Sequence, residues 1–187
     1  MSRILIAFAS SYGHTQRVAA ALAADLRRTG HTIELADAMV AFPPPVEDYD
    51  AVVLASRVQF GVHARQIAEY IAANREALTS VPSYFVSVSM SAAHGGADPN
   101  GYLARLFATT RWQPREAVAI GGGLPYRDYG PITRFVMKQI TRRGGGPTDT
   151  RQNHDCTDWS QVHAFASRIA GDLVTVRAPF AAPRAQA

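Results

Sequence analysis

Ser10, Ser11, Tyr12, Gly13, His14 and Thr15 follow directly on an apolar run from Ile4 to Ala9 and precede an Ala-rich stretch from Gln16 to Arg28. A short buried strand that turns into a helix reads this way. The first turn of such a helix leaves backbone N–H groups unpaired and carries about half a positive charge, so the turn is a natural cradle for an anion. Which anion follows from what the turn lacks. A P-loop needs a Lys and a Ser or Thr behind a longer glycine-rich loop, and a dinucleotide fingerprint needs three spaced glycines; neither is present. Hydroxyls at Ser10, Ser11, Tyr12 and Thr15, with Gly13 for close approach and no Lys or Arg, suit a phosphomonoester held by neutral donors. The competing reading is an ordinary strand-to-helix turn capped by Ser11 or Thr15.

Two further groups belong with this loop. Arg57, Val58, Gln59, Phe60 and Gly61 follow the buried run Tyr49 to Ser56, and Ser89 and Ser91 end the run from Pro82. The [ST]-x-x-G-x-T spacing of the first loop, placed after the first strand, resembles the flavodoxin signature, and that resemblance implies FMN. A flavin ring needs a flat slot, which Phe60 or Tyr126 could supply by stacking. Gly61 permits backbone approach to the ring. Arg57 and Gln59 could donate to ring carbonyls. Phe60 also reads as a core aromatic at a strand end, and Arg57 and Gln59 as solvated loop residues. His14 and His63 lie in these loops without an assigned role as catalytic bases. His154, Asp155 and Cys156 form a tight cluster, but no second ligand pair accompanies them and no metal is expected.

The elements that must hold these residues form a series. Strands are expected at 4–9, 31–37, 49–56, 82–89 and 116–123, and helices at 16–28, 62–78, 102–110 and 158–173, with Asp158 placed to cap the last one. Pro43, Pro44 and Pro45 break the chain between the second and third strands. A βαβ series of this kind predicts an α/β fold with a parallel five-stranded sheet covered on both faces, in the flavodoxin-like order 2-1-3-4-5. That order gathers the loops 10–15, 56–63 and 89–96 at one sheet edge. Between the fifth strand and the closing helix lies an insertion, residues 124–157. Within it a helix from Pro131 to Arg143 carries Ile132, Phe135, Val136 and Ile140 on one side and Arg134, Lys138 and Arg142 on another, and Gly144, Gly145 and Gly146 terminate it. Residues 1–175 read as a single domain, and 176–187 as a disordered tail.

At 187 residues, 47% hydrophobic and 18% charged, the composition is globular. A single cysteine, Cys156, leaves no internal disulfide and fits a reducing compartment. No apolar stretch is long enough for a membrane span, so a cytoplasmic protein, at most peripheral to the membrane, is expected. The net charge of +4 is unevenly spread. From Gly101 to Arg151, nine basic residues (eight Arg and Lys138) face Glu116, Asp128 and Asp149, so this region is +6 and the rest −2. A basic helix beside a cofactor site favours an anionic substrate or an anionic membrane surface, and it also reads as a solvated basic face. No nucleic-acid motif accompanies it, and no nucleic-acid partner is expected.

The insertion and its flanks resemble one family. Trp112-Gln113-Pro114, Gly123-Leu124-Pro125-Tyr126, Arg134 to Lys138, Gly145 to Arg151 and Thr157-Asp158-Trp159, in this order and together with the first loop and Phe60-Gly61, are similar to the bacterial flavodoxin-like, quinone-dependent protoporphyrinogen IX dehydrogenases of haem synthesis. Gln59 departs from the basic residue expected there in close members. The resemblance implies an FMN-dependent oxidoreductase, peripheral on the inner face of the cell membrane. It would oxidise protoporphyrinogen IX with menaquinone or ubiquinone as acceptor, and a homo-oligomer is a further expectation. It makes Ser10, Tyr12, Gly13, His14 and Thr15 phosphate-loop positions and Gln59, Phe60 and Gly61 the ring loop; Ser11, Arg57, Val58, Ser89 and Ser91 complete the expected cofactor contacts from their places in the same loops. Substrate propionates would suit Tyr126, Arg127, Arg134, Lys138, Arg142 and Arg151, the cations through paired carboxylate contacts. An electron-transfer flavodoxin and a flavin-dependent NAD(P)H:quinone reductase are the alternatives.

Overall fold

Along β1 (Arg3–Ala9) the side chains alternate between two apolar environments, and this alternation builds both halves of the core. Ile4, Ile6 and Phe8 join Val18, Leu22 and Leu26 of α1 (His14–Arg28) and Phe165 and Ile169 of α6 (Trp159–Arg177). Leu5, Ala7 and Ala9 face the other way, onto Ile67, Tyr70 and Ile71 of α2 (Arg65–Ala73), Leu78 of α3 (Arg75–Ser80) and Leu103 and Leu106 of α4 (Tyr102–Thr110). Each fully buried Leu, Ile or Val contributes roughly 1.5–3 kcal/mol. A strand apolar on both faces is therefore confined to the centre of the sheet. The computed structural model describes residues 1–94, 98, 100–143 and 147–177.

The remaining strands are β2 (Thr32–Asp37), β3 (Ala51–Gln59), β4 (Val62–His63), β5 (Ser83–Ser89) and β6 (Glu116–Gly121). Their order is β2-β1-β3-β5-β6, all parallel, with β4 pairing antiparallel on the end of β3. Counted without β4, the parallel strands follow the expected order 2-1-3-4-5. Two features differ from the sequence expectation. β3 runs on through Gln59, so Arg57, Val58 and Gln59 are strand residues of a hairpin rather than loop residues. The helix expected over 62–78 is replaced by β4, α2 and α3, and the break falls at Asn74, whose amide caps the carbonyl of Tyr70 at 2.9 Å.

The insertion has its own small framework. β7 (Gly123–Leu124) pairs antiparallel with β8 (His154–Asp155), tying its two ends together beside the sheet. Leu124, Tyr126 and Tyr129 form a separate apolar cluster with Met90 and Met137 against them. α5 (Pro131–Arg143) lies over this cluster. α6 opens as expected, with Asp158 accepting from the backbone N–H of Ser160 at 3.0 Å. α6 continues to Arg177, so the first two residues of the expected tail are helical. The rest of that tail and the triglycine stop expected after α5 lie outside the described residues. No helix among the described residues is long and apolar enough to cross a membrane.

Candidate functional site

The site is built where β1 gives way to α1. Gly13 occupies the position before the helix with φ of 78°, and no side chain caps the helix. Such a φ is easy for glycine and costly for a residue with a Cβ. The capping role read for Ser11 or Thr15 is therefore not taken. Thr15 is buried, and the uncapped turn carries no acidic residue. Parallel pairing of β1, β3 and β5 brings the ends of these three strands to the same edge.

A cavity of about 620 Å³ opens at that edge. This lies within the roughly 300–1,000 Å³ of small-molecule and cofactor sites. Ser10, Ser11, Tyr12, His14 and Thr15 line it from the first loop, Arg57, Val58, Gln59, Phe60 and Gly61 from the β3–β4 hairpin, and Ser89 and Ser91 from the end of β5. Gly13 shapes the turn without lining the cavity. The opposite wall comes from the insertion. Gly123, Pro125, Tyr129, Ile132, Thr133, Val136, Met137 and Thr141 were not anticipated there. Periodicity shows that α5 has an apolar stripe, but not what the stripe faces.

The insertion is fastened to the first loop at several points. His14 Nε2 lies 2.6 Å from the Thr157 hydroxyl, which donates to the Gly121 carbonyl at 2.9 Å. Thr157 has one hydrogen and it is used, so His14 donates from Nε2. Arg17 pairs with Asp155 at 3.0 Å, and the Tyr12 and Tyr129 rings meet edge to face at 5.1 Å. Burial lowers the His14 pKa, outweighing the nearby Asp155 carboxylate, so the 3.7 Å approach of these two is not an ion pair at neutral pH. The Asp155 carboxyl also lies below its usual range. Burial acts to raise it, and Thr157 hydrogen bonds with the neighbouring His14 and Arg17 outweigh that.

Phe60 and Gly61 are the two central residues of the β3–β4 hairpin, with φ of 51° and 80°. Positive φ at both positions marks the tight hairpin turns that favour Asn-Gly, and a phenylalanine there is strained. Arg105 holds the turn by donating to the Gly61 carbonyl at 3.1 Å. Phe60 is 88% exposed, so it is not a core aromatic but stands at the cavity mouth.

The basic residues expected to meet a substrate are placed differently. Arg134 donates to the carbonyls of Tyr126 at 2.8 Å and Tyr129 at 3.0 Å, with a longer contact to Arg127. It therefore clips together the turn before α5. Tyr126 is fully buried, donates to the Pro147 carbonyl at 3.0 Å and stacks on neither face of the cavity. Arg127, Lys138, Arg142 and Arg151 are exposed and line no part of it. The side of α5 turned to the cavity is Ile132, Thr133, Val136 and Met137, so the expected polar substrate wall is largely apolar.

The profile of the flavodoxin domain family matches residues 5–151. A protoporphyrinogen IX dehydrogenase [quinone] of Escherichia coli K12 is 32% identical over 171 residues, covering 90% of this chain and 94% of the relative. An NAD(P)H dehydrogenase (quinone) of Brucella anthropi is 27% identical, covering 93% of this chain and 96% of that protein. Among solved structures, a cysteine variant of the Pseudomonas aeruginosa flavodoxin superposes with a TM-score of 0.53 at 13% identity, covering 92% of this chain and 99% of that one. That likeness shows the fold. The chain belongs to the flavodoxin domain family, among the flavodoxin-like, quinone-dependent protoporphyrinogen IX dehydrogenases.

Proposed function

We propose that this chain is an FMN-dependent oxidoreductase that converts protoporphyrinogen IX to protoporphyrin IX and passes the electrons to a respiratory quinone. The observation that carries the reading is the two-sided cavity. One end is an uncapped helix N-terminus with hydroxyl-bearing residues, suited to a phosphomonoester, and the other is walled by the apolar side of α5. A minimal flavin carrier has no use for the second wall. FMN, when bound, supplies a centre that accepts and returns two electrons at a time.

The chain's own residues then have separate tasks. Ser10, Ser11, Tyr12, His14 and Thr15 hold the phosphate, on a turn that Gly13 shapes. Phe60 and Gly61 border the mouth, and Val58, Gln59, Ser89 and Ser91 line the same cavity. Ile132, Val136 and Met137 offer an apolar surface to the macrocycle and keep water from it. Aromatisation removes six electrons and six protons, so each protoporphyrinogen is balanced by three quinones becoming three quinols. Exposed Phe60, Val62, Ile132 and Phe135, with exposed Lys138 and Arg142 nearby in sequence, suit contact with an anionic membrane surface, where such quinones reside. A cytoplasmic enzyme resting on the inner face of the membrane accommodates both substrates.

The test uses the purified full chain under anaerobic conditions. Its visible spectrum reports the flavin, and porphyrin fluorescence is followed after adding protoporphyrinogen IX with menaquinone or ubiquinone. Quinone-dependent porphyrin formation is expected. Absence of that signal, with rapid bleaching of the flavin by NAD(P)H, would transfer the assignment to the activity named for the Brucella relative.

A further inference from the structure

Among the described residues lining the cavity there is no Asp, Glu or Lys, and the only permanent charge is Arg57. Burial lowers the Arg57 pKa. Its Nε is one of two buried side-chain polar atoms without a hydrogen-bond partner among the described residues, the other being Trp112 Nε1, which lies away from the cavity. A partly desolvated guanidinium with no carboxylate beside it is costly unless an anion completes it.

Strand geometry says which end of the cavity it serves. Ala9 of β1 pairs with Ser56, so Arg57 stands level with Ser10, the first residue of the phosphate loop. Strand alternation places Arg57 on the same face as Val53 and Ala55, which pack with Phe8 and with Val18 of α1. Ser56, on the other face, accepts from the Ala64 N–H at 3.0 Å. Arg57 therefore lies on the side of the sheet that carries α1 and its uncapped N-terminus. The phenol of Tyr12, in the middle of the phosphate loop, is near enough to act on it electrostatically.

We propose that Arg57 is the counter-charge of the FMN phosphate and the residue by which this cavity selects FMN over unphosphorylated riboflavin. The inference rests on the FMN reading above and reassigns Arg57 from the ring to the phosphate. The phosphate loop contains no cation, so a dianion seated there meets neutral donors, a helix dipole and this one guanidinium.

Flavin-free full-length chain is titrated with FMN and with riboflavin, followed by quenching of flavin fluorescence, for wild type, Arg57→Gln and Arg57→Lys. Circular dichroism checks the fold of each. Arg57→Gln is expected to weaken FMN by about 10- to 100-fold, the scale of a lost hydrogen bond to a charged group, and riboflavin by less than about threefold. Arg57→Lys keeps the charge without the fork and should fall between. It carries the comparison if the glutamine variant does not fold. Equal weakening of both flavins, or an unchanged FMN affinity, overturns the proposal while leaving the FMN reading intact. A wild-type chain that binds neither flavin overturns that reading, and this inference with it.

Discussion

His14 Nε2 and the Thr157 hydroxyl meet at 2.6 Å across 143 residues of sequence, joining the first turn of α1 to the segment that closes the insertion. The contact is reinforced sterically. A Cβ built on Gly123 would lie 2.5 Å from His14 Nδ1, so the imidazole fills the space that a side chain on β7 would need.

Thr157→Val keeps the shape and removes the two hydrogen bonds by which the Thr157 hydroxyl joins His14 to the Gly121 carbonyl. A loss of about 1–3 kcal/mol is expected in urea unfolding, together with weaker FMN binding. Gly123→Ala should act in the same direction by displacing His14. Gly130→Ala, with nothing within 4 Å of its Cβ, is the matched control. Stabilities of all three variants equal to wild type would show that the contact carries no weight.

His63 gives the protein an acid-sensitive stability. It is buried with Nε2 2.9 Å from the Ser87 hydroxyl, and burial pushes its pKa from 6.5 to about 4, only partly opposed by Asp98. The unfolded chain therefore takes up this proton below about pH 6.5 and the folded chain only near 4. Between these values the unfolded form binds more protons, so stability falls as pH falls, by up to about 3 kcal/mol. His14, also lowered by burial, adds to the same slope. Urea midpoints measured from pH 7 to 4.5 should fall in wild type and fall less steeply in His63→Gln. Parallel slopes in the two proteins would refute the assignment.

Phe60→Asn should make the protein more stable and less functional. It creates the Asn-Gly pair that this hairpin turn prefers, and Phe60 is too exposed for its removal to cost core packing. A gain of about 1 kcal/mol in the flavin-free chain is expected. If Phe60 borders the bound flavin or substrate, affinity drops at the same time. A stability change of the opposite sign would mean that the backbone is not strained there.

Arg134 and the exposed bases of α5 should separate cleanly. Arg134→Gln loses contacts to the carbonyls of Tyr126 and Tyr129, and hydrogen exchange over residues 126–143 is expected to speed up. Lys138→Glu with Arg142→Glu should leave exchange unchanged and weaken binding to anionic vesicles, since each basic residue near such a surface contributes about 1 kcal/mol. Vesicle sedimentation and exchange measured on the same preparations decide between the two roles. Unchanged sedimentation of the double variant would remove α5 from the membrane contact.

The order of buried runs and helix-length spacers was enough to determine the parallel sheet, because an apolar strand such as Ile4 to Ala9 can only sit at the centre of a sheet covered on both faces. The same order puts the first loop, the end of β3 and the end of β5 at one edge. Short elements were beyond this reasoning. Val62–His63 has too few residues to show a period, and the stop at Asn74 depends on a local hydrogen bond. Only the tertiary structure decided how the insertion is used. Sequence showed that α5 carries an apolar stripe and a basic stripe, but periodicity is silent about which neighbour each stripe meets. Packing turned Ile132, Val136 and Met137 to the cavity, committed Arg134 to three backbone carbonyls and left Lys138 and Arg142 in water. The link from His14 to Thr157 exists only once β7 and β8 have closed the insertion, so no local pattern announces it.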